Sequence, residues 1–157
     1  MSLVVRSGAF GSGKPILRRH TGDGEDLSPP LSWSSLPATA RELALIVDDP
    51  DAPTPEPWVH WVIYSMAATT EGIAEGVPPV ARPSFPAMFT QGKNSWSTIG
   101  YRGPAPPKGH GVHRYFFKLY ALDKALDLPA GLDKPSLQNA MKGHIVAEGE
   151  LMGTYQR

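Results

Sequence analysis

The sequence contains no cysteine, and this absence excludes disulfide bonds, zinc–thiolate sites and thiol nucleophiles. It has no excess of either charge, because 15 basic residues are balanced by 15 acidic ones. Proteins that bind the phosphate backbone of nucleic acids normally carry a basic excess, so we do not expect a nucleic-acid partner.

Long apolar runs are also missing. No stretch approaches the ~20 consecutive apolar residues of a membrane-spanning helix, so no membrane span is predicted. Residues 1–10 lack the apolar run behind a basic start that marks a signal peptide. We therefore expect a cytoplasmic location.

Proline and glycine, in contrast, are abundant. The chain has 17 prolines and 16 glycines among 157 residues, more than an average globular protein carries. They lie between short apolar runs, a pattern typical of short strands joined by stiff turns. With 41% hydrophobic residues, we predict one mainly β domain that spans residues 1–157.

Apolar and aromatic runs mark the predicted strands. Residues 42–47 form an apolar run bounded by turn residues, which indicates a central strand buried on both faces. Residues 60–66 and 115–122 are rich in β-branched and aromatic side chains, which strands favour. Residues 3–5 and 149–155 are predicted to be the first and last strands.

One helix is predicted over residues 136–141, where Leu137, Ala140 and Met141 recur at helical spacing. Gly143 suits the end of that helix. Residues 144–148 are then predicted to form a short turn.

A glycine-rich segment near the start, residues 8–15, nearly matches a phosphate-binding P-loop. That motif requires Ser or Thr after its lysine and a helix behind it. Pro15 follows Lys14 here, and the next residues have an extended pattern. We therefore predict a plain turn and not a nucleotide site.

Two proline-rich loops carry the residues that point to a function. The segment 49–53 precedes His60, and the segment 103–107 precedes His113. Proline restricts the backbone of a loop, so each loop holds its shape at low entropic cost. Because each histidine stands at the start of a predicted strand, we expect both to face one ligand site.

The polar groups of these loops suit an anion. We expect His60 and His113 to donate hydrogen bonds to it, more strongly as the pH falls and the imidazoles gain protons. The hydroxyl of Tyr115 and the backbone amides of residues 109–112 would add donors.

Two carboxylates accompany this site. Arg114 can face the anion or form an ion pair with Asp51 that joins the two loops. We favour the ion pair, because a guanidinium matches a carboxylate with two parallel bonds. For Asp49 two roles stay open. It can orient a histidine or accept a proton-bearing group of the ligand, or it can cap its own loop as an Asx turn.

Other kinds of site are less well supported. The next alternative is a metal bound by His60, His113 and either Asp49 or Asp51. No histidine spacing favours it, and we predict neither metal nor cofactor. A hydrolase that uses the two histidines is the alternative function, although no Gly-x-Ser-x-Gly motif is present. The remaining histidines are assigned to the surface or to loops: His20, His110 and His144. The tryptophans are assigned to the core or to the wall of the pocket: Trp33, Trp58, Trp61 and Trp96.

These residues resemble the phosphatidylethanolamine-binding proteins, also called the Raf-kinase-inhibitor-like family, and in particular their short bacterial and archaeal branch. The matching segments occur in the family's order and are residues 28–33, 49–53, 58–61, 92–94, 100–107 and 113–122. The resemblance implies an antiparallel β-sandwich with a few short peripheral helices.

It also implies a pocket for phosphate-like or carboxylate-like anions, such as a phospholipid head group. The pocket residues that the motifs carry over are Asp49, Pro53, Trp58, His60, Pro106, His113 and Tyr115. Members of the family bind ligands and modulate protein kinases or proteases, so the resemblance implies a binding module and not an enzyme. Bacterial relatives are often homodimers, and we expect residues 78–89 to form the contact.

Overall fold

The computed structural model describes residues 3–84 and 88–157. Its longest strands are β3 (Glu42–Asp49), β4 (Trp58–Ala67), β7 (His113–Leu122) and β8 (Ile145–Tyr155). The shorter elements are β1 (Val4–Arg6), a 3-10 turn (Arg18–His20), β2 (Leu31–Ser34), β5 (Gly72–Ile73), β6 (Thr90–Gln91) and the helix α1 (Lys134–Met141). The predicted mainly β fold is confirmed.

The strands form two antiparallel sheets. One has three strands in the order β1-β2-β5, and the other has five in the order β6-β4-β3-β7-β8. The main core lies between the sheets and contains residues from both, among them Trp33, Leu45 and Phe117.

The central strand β3 is buried along its whole length. Its alternate residues enter different clusters, because successive side chains of a strand point to opposite faces. Leu43, Leu45 and Val47 enter the core between the sheets. Ala44 and Ile46 enter a second cluster, where they pack with Leu137 and Met141 of α1. The strand predicted to be buried on both faces is therefore confirmed.

The helix begins earlier than its apolar spacing indicated, at Lys134 and not at Ser136. Asp133 caps it, since its side chain accepts a hydrogen bond from the Ser136 N–H at 3.0 Å. Pro135 occupies the first turn, where its missing N–H costs nothing.

The turn predicted over residues 144–148 is wrong. Strand β8 begins at Ile145 and pairs with β7 from Leu122↔Ile145 to His113↔Tyr155. The backbone groups of residues 145–148 therefore belong to the sheet, and pairing with β7 overrides the weak local pattern.

The glycine-rich segment near the N-terminus runs along β8 instead of forming a phosphate-binding loop. Gly13 N–H donates to Met152 O at 2.7 Å, and Ile16 N–H donates to Thr154 O at 2.8 Å. Pro15 forms an isolated parallel bridge with Thr154. These bonds occupy amides that a phosphate site would need, and they cover an edge of the large sheet.

Within the described ranges, no helix combines the length and the apolar character that crossing a membrane requires. The contact predicted over residues 78–89 includes residues 85–87, which lie outside the described residues. Val80 and Met88, on either side of them, are exposed, and the homodimer stays a prediction.

Candidate functional site

The topology of the large sheet brings the two proline loops together. Strand β3 lies between β4 and β7 and is antiparallel to both. The end of β3 at Asp49 therefore lies beside the starts of β4 and β7, and Asp49 pairs directly with Trp58. His60 and His113 consequently lie at the same edge of the sheet.

A cavity of about 250 Å³ opens at this edge. It is lined by Asp49, Ala52, Pro53, Thr54, Trp58, His60, Trp96, Ala105, Pro106, Pro107, His113 and Tyr115. The structure thus brings together all seven pocket residues that the family resemblance implied. Residues 109–112, whose backbone amides were expected to add donors, do not line this cavity. Of the four tryptophans, Trp58 and Trp96 belong to the cavity wall, whereas Trp33 and Trp61 lie in the core.

Asp49 bonds through both of its oxygens. Oδ1 accepts the Asp51 N–H at 2.7 Å, which forms an Asx turn. Oδ2 lies 2.6 Å from Nδ1 of His113. A carboxylate can only accept, so Nδ1 of His113 carries a proton and a neutral His113 has its free electron pair on Nε2.

His60 is held by a backbone carbonyl. Its Nδ1 donates to Arg102 O at 2.6 Å, which leaves Nε2 as the acceptor of the neutral ring. Burial disfavours the charged form and lowers the pKa of His60 to about 4. His60 is therefore neutral at physiological pH and offers Nε2 only as an acceptor, in place of the donor role expected from the sequence.

Aromatic rings pack around His60 edge to face. Its ring centroid lies 5.1 Å from that of Tyr115 and 5.1 Å from that of Trp96. Trp96 in turn meets Trp58 at 5.4 Å, and the Arg102 guanidinium lies 4.7 Å from the Trp96 ring centroid. These contacts hold the imidazole in one orientation and make the wall of the cavity rigid.

Tyr115 offers a hydroxyl to the cavity. Burial raises the pKa of Tyr115 far above its usual range, and the negative charges of Asp49 and Asp51 add to the effect. The side chain therefore stays protonated and keeps a donor O–H.

Arg114 and Asp51 form the predicted ion pair between the two loops. Nε donates to Oδ2 and Nη2 donates to Oδ1, each at 2.9 Å. The Arg114 backbone N–H also donates to Oδ2 at 2.9 Å. The Arg114 guanidinium lowers the pKa of Asp51, so the carboxylate stays charged and the loops stay joined.

Sequence reasoning missed the part that His110 plays. The residue is exposed on a loop, as predicted, but its Nδ1 lies 2.6 Å from Nε2 of His113. The rings are 4.8 Å apart. The signal in the sequence was the short spacing to His113, with a glycine on each side of His110.

His20 was assigned to the surface or to a loop, and the surface is wrong: the residue is fully buried in the 3-10 turn between β1 and β2. Its Nδ1 bonds to Leu27 O at 2.8 Å, and its Nε2 lies 3.4 Å from a Glu75 carboxylate oxygen. Its carbonyl accepts the Tyr101 hydroxyl at 2.6 Å. His20 therefore connects the first loop to the core and has no place in the cavity.

No group of three or more His, Asp or Glu side chains in the described part of the chain is arranged to hold a metal ion. At the cavity, Asp49 already bonds through both oxygens, and Nδ1 of each pocket histidine bonds within the protein.

Comparison with known proteins gives a consistent result. The sequence model of the family described as phosphatidylethanolamine-binding protein matches residues 6–156. A UPF0098 protein of Methanothermobacter thermautotrophicus is 48% identical over 153 residues, which cover 98% of each chain.

Two solved structures have the same fold over nearly their full lengths. The phosphatidylethanolamine-binding protein homologue CT736 of Chlamydia trachomatis has a TM-score of 0.89 and 39% identity, covering 99% of this chain and 98% of its own. YbcL of E. coli, described as a member of the mammalian family, has a TM-score of 0.91 and 27% identity, covering 100% and 99%.

Proposed function

Because this chain belongs to the phosphatidylethanolamine-binding protein family, in its bacterial and archaeal branch, we propose that its cavity binds a small oxyanion and that the protein is a binding module without catalytic activity. The observation that carries the proposal is the convergence of His60, His113 and Tyr115 on one cavity beside Asp49. These groups come from three neighbouring strands, β3, β4 and β7, and are all buried.

The protonation of the site defines the kind of anion. Neutral His60 presents an acceptor, Asp49 presents a negative charge, and Tyr115 presents a donor. A fully deprotonated anion would meet repulsion at the first two groups. A ligand that carries both negative oxygens and a proton on oxygen or nitrogen satisfies all three. Hydrogen phosphate and the phosphoethanolamine head group share this chemistry.

Calorimetric titration with phosphate and with phosphoethanolamine, at pH 6 and at pH 8, tests the proposal and separates the two sources. We expect weak binding of phosphate, about millimolar, because water competes for a small exposed anion. Affinity for phosphate should rise as the pH falls from 8 to 6, because the dihydrogen form has a second proton to donate and less negative charge for Asp49 to repel. Equal affinities for phosphate at the two pH values would contradict this binding mode.

Matched variants locate the binding. Tyr115→Phe keeps the buried ring and removes only the hydroxyl, so it should weaken binding without unfolding the protein. Replacing His60 and His113 together by Ala should abolish binding, with thermal melting as the check on folding. His144 bonds Asp123 at the surface, and His144→Ala serves as the control that should bind like the wild type.

We also propose that the cavity recognises an acidic or phosphorylated side chain of a protein partner, such as a kinase or protease that the protein modulates. Excess phosphate should then release such a partner in a pull-down. A homodimer in the cytoplasm is part of the same proposal, and light scattering of the purified protein measures its mass.

The alternative is a hydrolase, and one observation favours it. The buried Asp49–His113 pair has the arrangement in which a carboxylate orients a general base. However, Nε2 of His113 faces His110 and not a nucleophilic hydroxyl, which places this function second. A screen with generic esters and phosphoesters tests it; turnover that His113→Ala removes would replace the binding proposal.

A further inference from the structure

Nε2 of His113, the atom that a ligand would bind, already takes part in a hydrogen bond within the protein. Nδ1 of His113 is bonded to the buried carboxylate of Asp49, so Nε2 is the nitrogen left for a ligand. His110 already occupies it, with its Nδ1 at 2.6 Å. When both rings are neutral, the proton between them belongs to His110, because His113 carries its own proton on Nδ1, where it bonds Asp49.

His110 lies on the histidine loop, residues 107–112, which has few bonds to the rest of the protein. The backbone N–H of His110 donates to Pro107 O at 3.2 Å, and that of Gly109 donates to Arg157 O at a long 3.4 Å. Gly109 and Gly111 have φ of 75° and 93°, values that glycine adopts readily. The His110 side chain is exposed, so it can move away without leaving a hole in the core.

His113 lines two openings. One is the cavity of about 250 Å³ that is also lined by His60 and Tyr115. The other is a surface cleft of about 430 Å³, lined by Asp51, His110, Val112, His113 and Arg114. His110 lines the cleft and not the cavity, so Nε2 of His113 is bonded by a residue outside the cavity in which the ligand is proposed to bind.

We propose that His110 is an internal competitor for the ligand and determines the affinity and selectivity of the site. This inference rests on the proposed function. A ligand gains the bond to His113 only when it displaces His110 from Nε2. An anion that binds too weakly to displace His110 gains no bond to His113, because both nitrogens of His113 are already hydrogen-bonded.

Two measurements on the full chain test the competition. Side-chain ¹⁵N NMR of the free protein should detect the coupling between Nδ1 of His110 and Nε2 of His113, and added phosphate should remove it. His110→Ala should raise the affinity for phosphate by about three- to tenfold. This factor corresponds to the one neutral hydrogen bond, between His110 and His113, that phosphate no longer has to break.

Two further variants act as controls. His110→Phe keeps a ring at the position but no nitrogen, so its affinity should rise as in His110→Ala. If His110→Phe binds phosphate with wild-type affinity, the proposal is overturned. The ring of residue 110 would then limit the affinity by shielding the site, and the hydrogen bond to His113 would have no effect. Val112→Ala changes another exposed residue of the histidine loop and should bind like the wild type.

The remaining outcomes separate this inference from the function on which it rests. Unchanged or lower affinity in His110→Ala would overturn the competition, and lower affinity would make His110 a ligand contact. Phosphate binding without any His110–His113 coupling in the free protein would overturn the competition alone. Coupling without phosphate binding in either protein would overturn the proposed function, and the competition with it.

Discussion

The carboxylate of Asp49 lies 2.6 Å from Nδ1 of His113, and both residues are almost completely buried. The other oxygen of the same carboxylate accepts the backbone N–H of Asp51. The two roles that the sequence left open for Asp49 are thus not exclusive, since each uses one oxygen. Through this one side chain, the shape of the first loop and the orientation of His113 depend on each other.

The site should prefer phosphate to sulfate. Sulfate has no proton at neutral pH, so it cannot donate to Nε2 of His60 and it is repelled by Asp49. We expect at least a tenfold preference for phosphate, about the value of one hydrogen bond to a charged group. Calorimetry at pH 7 measures both affinities. In Asp49→Asn the repulsion disappears and sulfate should bind more tightly; equal binding of the two anions by the wild type would contradict the assigned protonation.

The stability of the protein should fall in mild acid because of His60. Its pKa is about 4 in the folded protein, against an ordinary value of 6.5 in the unfolded chain. Between these values the unfolded chain binds more protons, so the free energy of unfolding decreases as the pH falls from 6.5 to 4. The contribution of His60 is fully present above pH 6.5, and its loss amounts to about 3 kcal/mol.

Urea unfolding at several pH values measures this effect. His60→Asn cannot titrate in this range, so its profile between pH 6.5 and 4 should be flatter than that of the wild type by the same amount. Parallel profiles for the two proteins would show that His60 is not held neutral by the fold.

Replacing Gln91 should destabilise the protein strongly. Its buried side chain accepts from Trp61 Nε1 at 2.6 Å and donates to the carbonyls of Pro78 and Val80, each at 2.8 Å. Gln91→Ala leaves all three groups without this partner, at a cost of about 3 kcal/mol or more. Gln138 is exposed on α1, and Gln138→Ala should leave the urea midpoint nearly unchanged. A similarly small effect at Gln91 would mean that water replaces the lost bonds.

Gly103→Ala should damage both the fold and the site. A Cβ at this position would overlap the carbonyl oxygen of His20 and lie 2.6 Å from Oδ1 of Asp26. The backbone must then shift next to Arg102, whose carbonyl holds His60. We expect a loss of about 1–3 kcal/mol in unfolding free energy and weaker phosphate binding. Gly8 has no atom within 4 Å of an added Cβ, so Gly8→Ala should behave like the wild type.

Strong local patterns predicted the fold well. The apolar run within β3 is long enough to identify a strand buried on both faces. One proline loop directly follows β3, and the other precedes β7. Residues 144–148 were misassigned because their pattern is weak locally and their partners in β7 are distant in the chain. His20 was misassigned for a similar reason, since the groups that bury it come from other loops.

By itself, the sequence determined the β fold and the residues that meet at one edge of the large sheet, because burial patterns and stiff proline loops are local properties. Only the tertiary structure decided what those residues do. The partners of His60 and His113 lie 42 and 64 positions away along the chain. Which nitrogen of an imidazole carries the proton depends on the group opposite it, so the donors and acceptors of the site are defined only once the chain has folded.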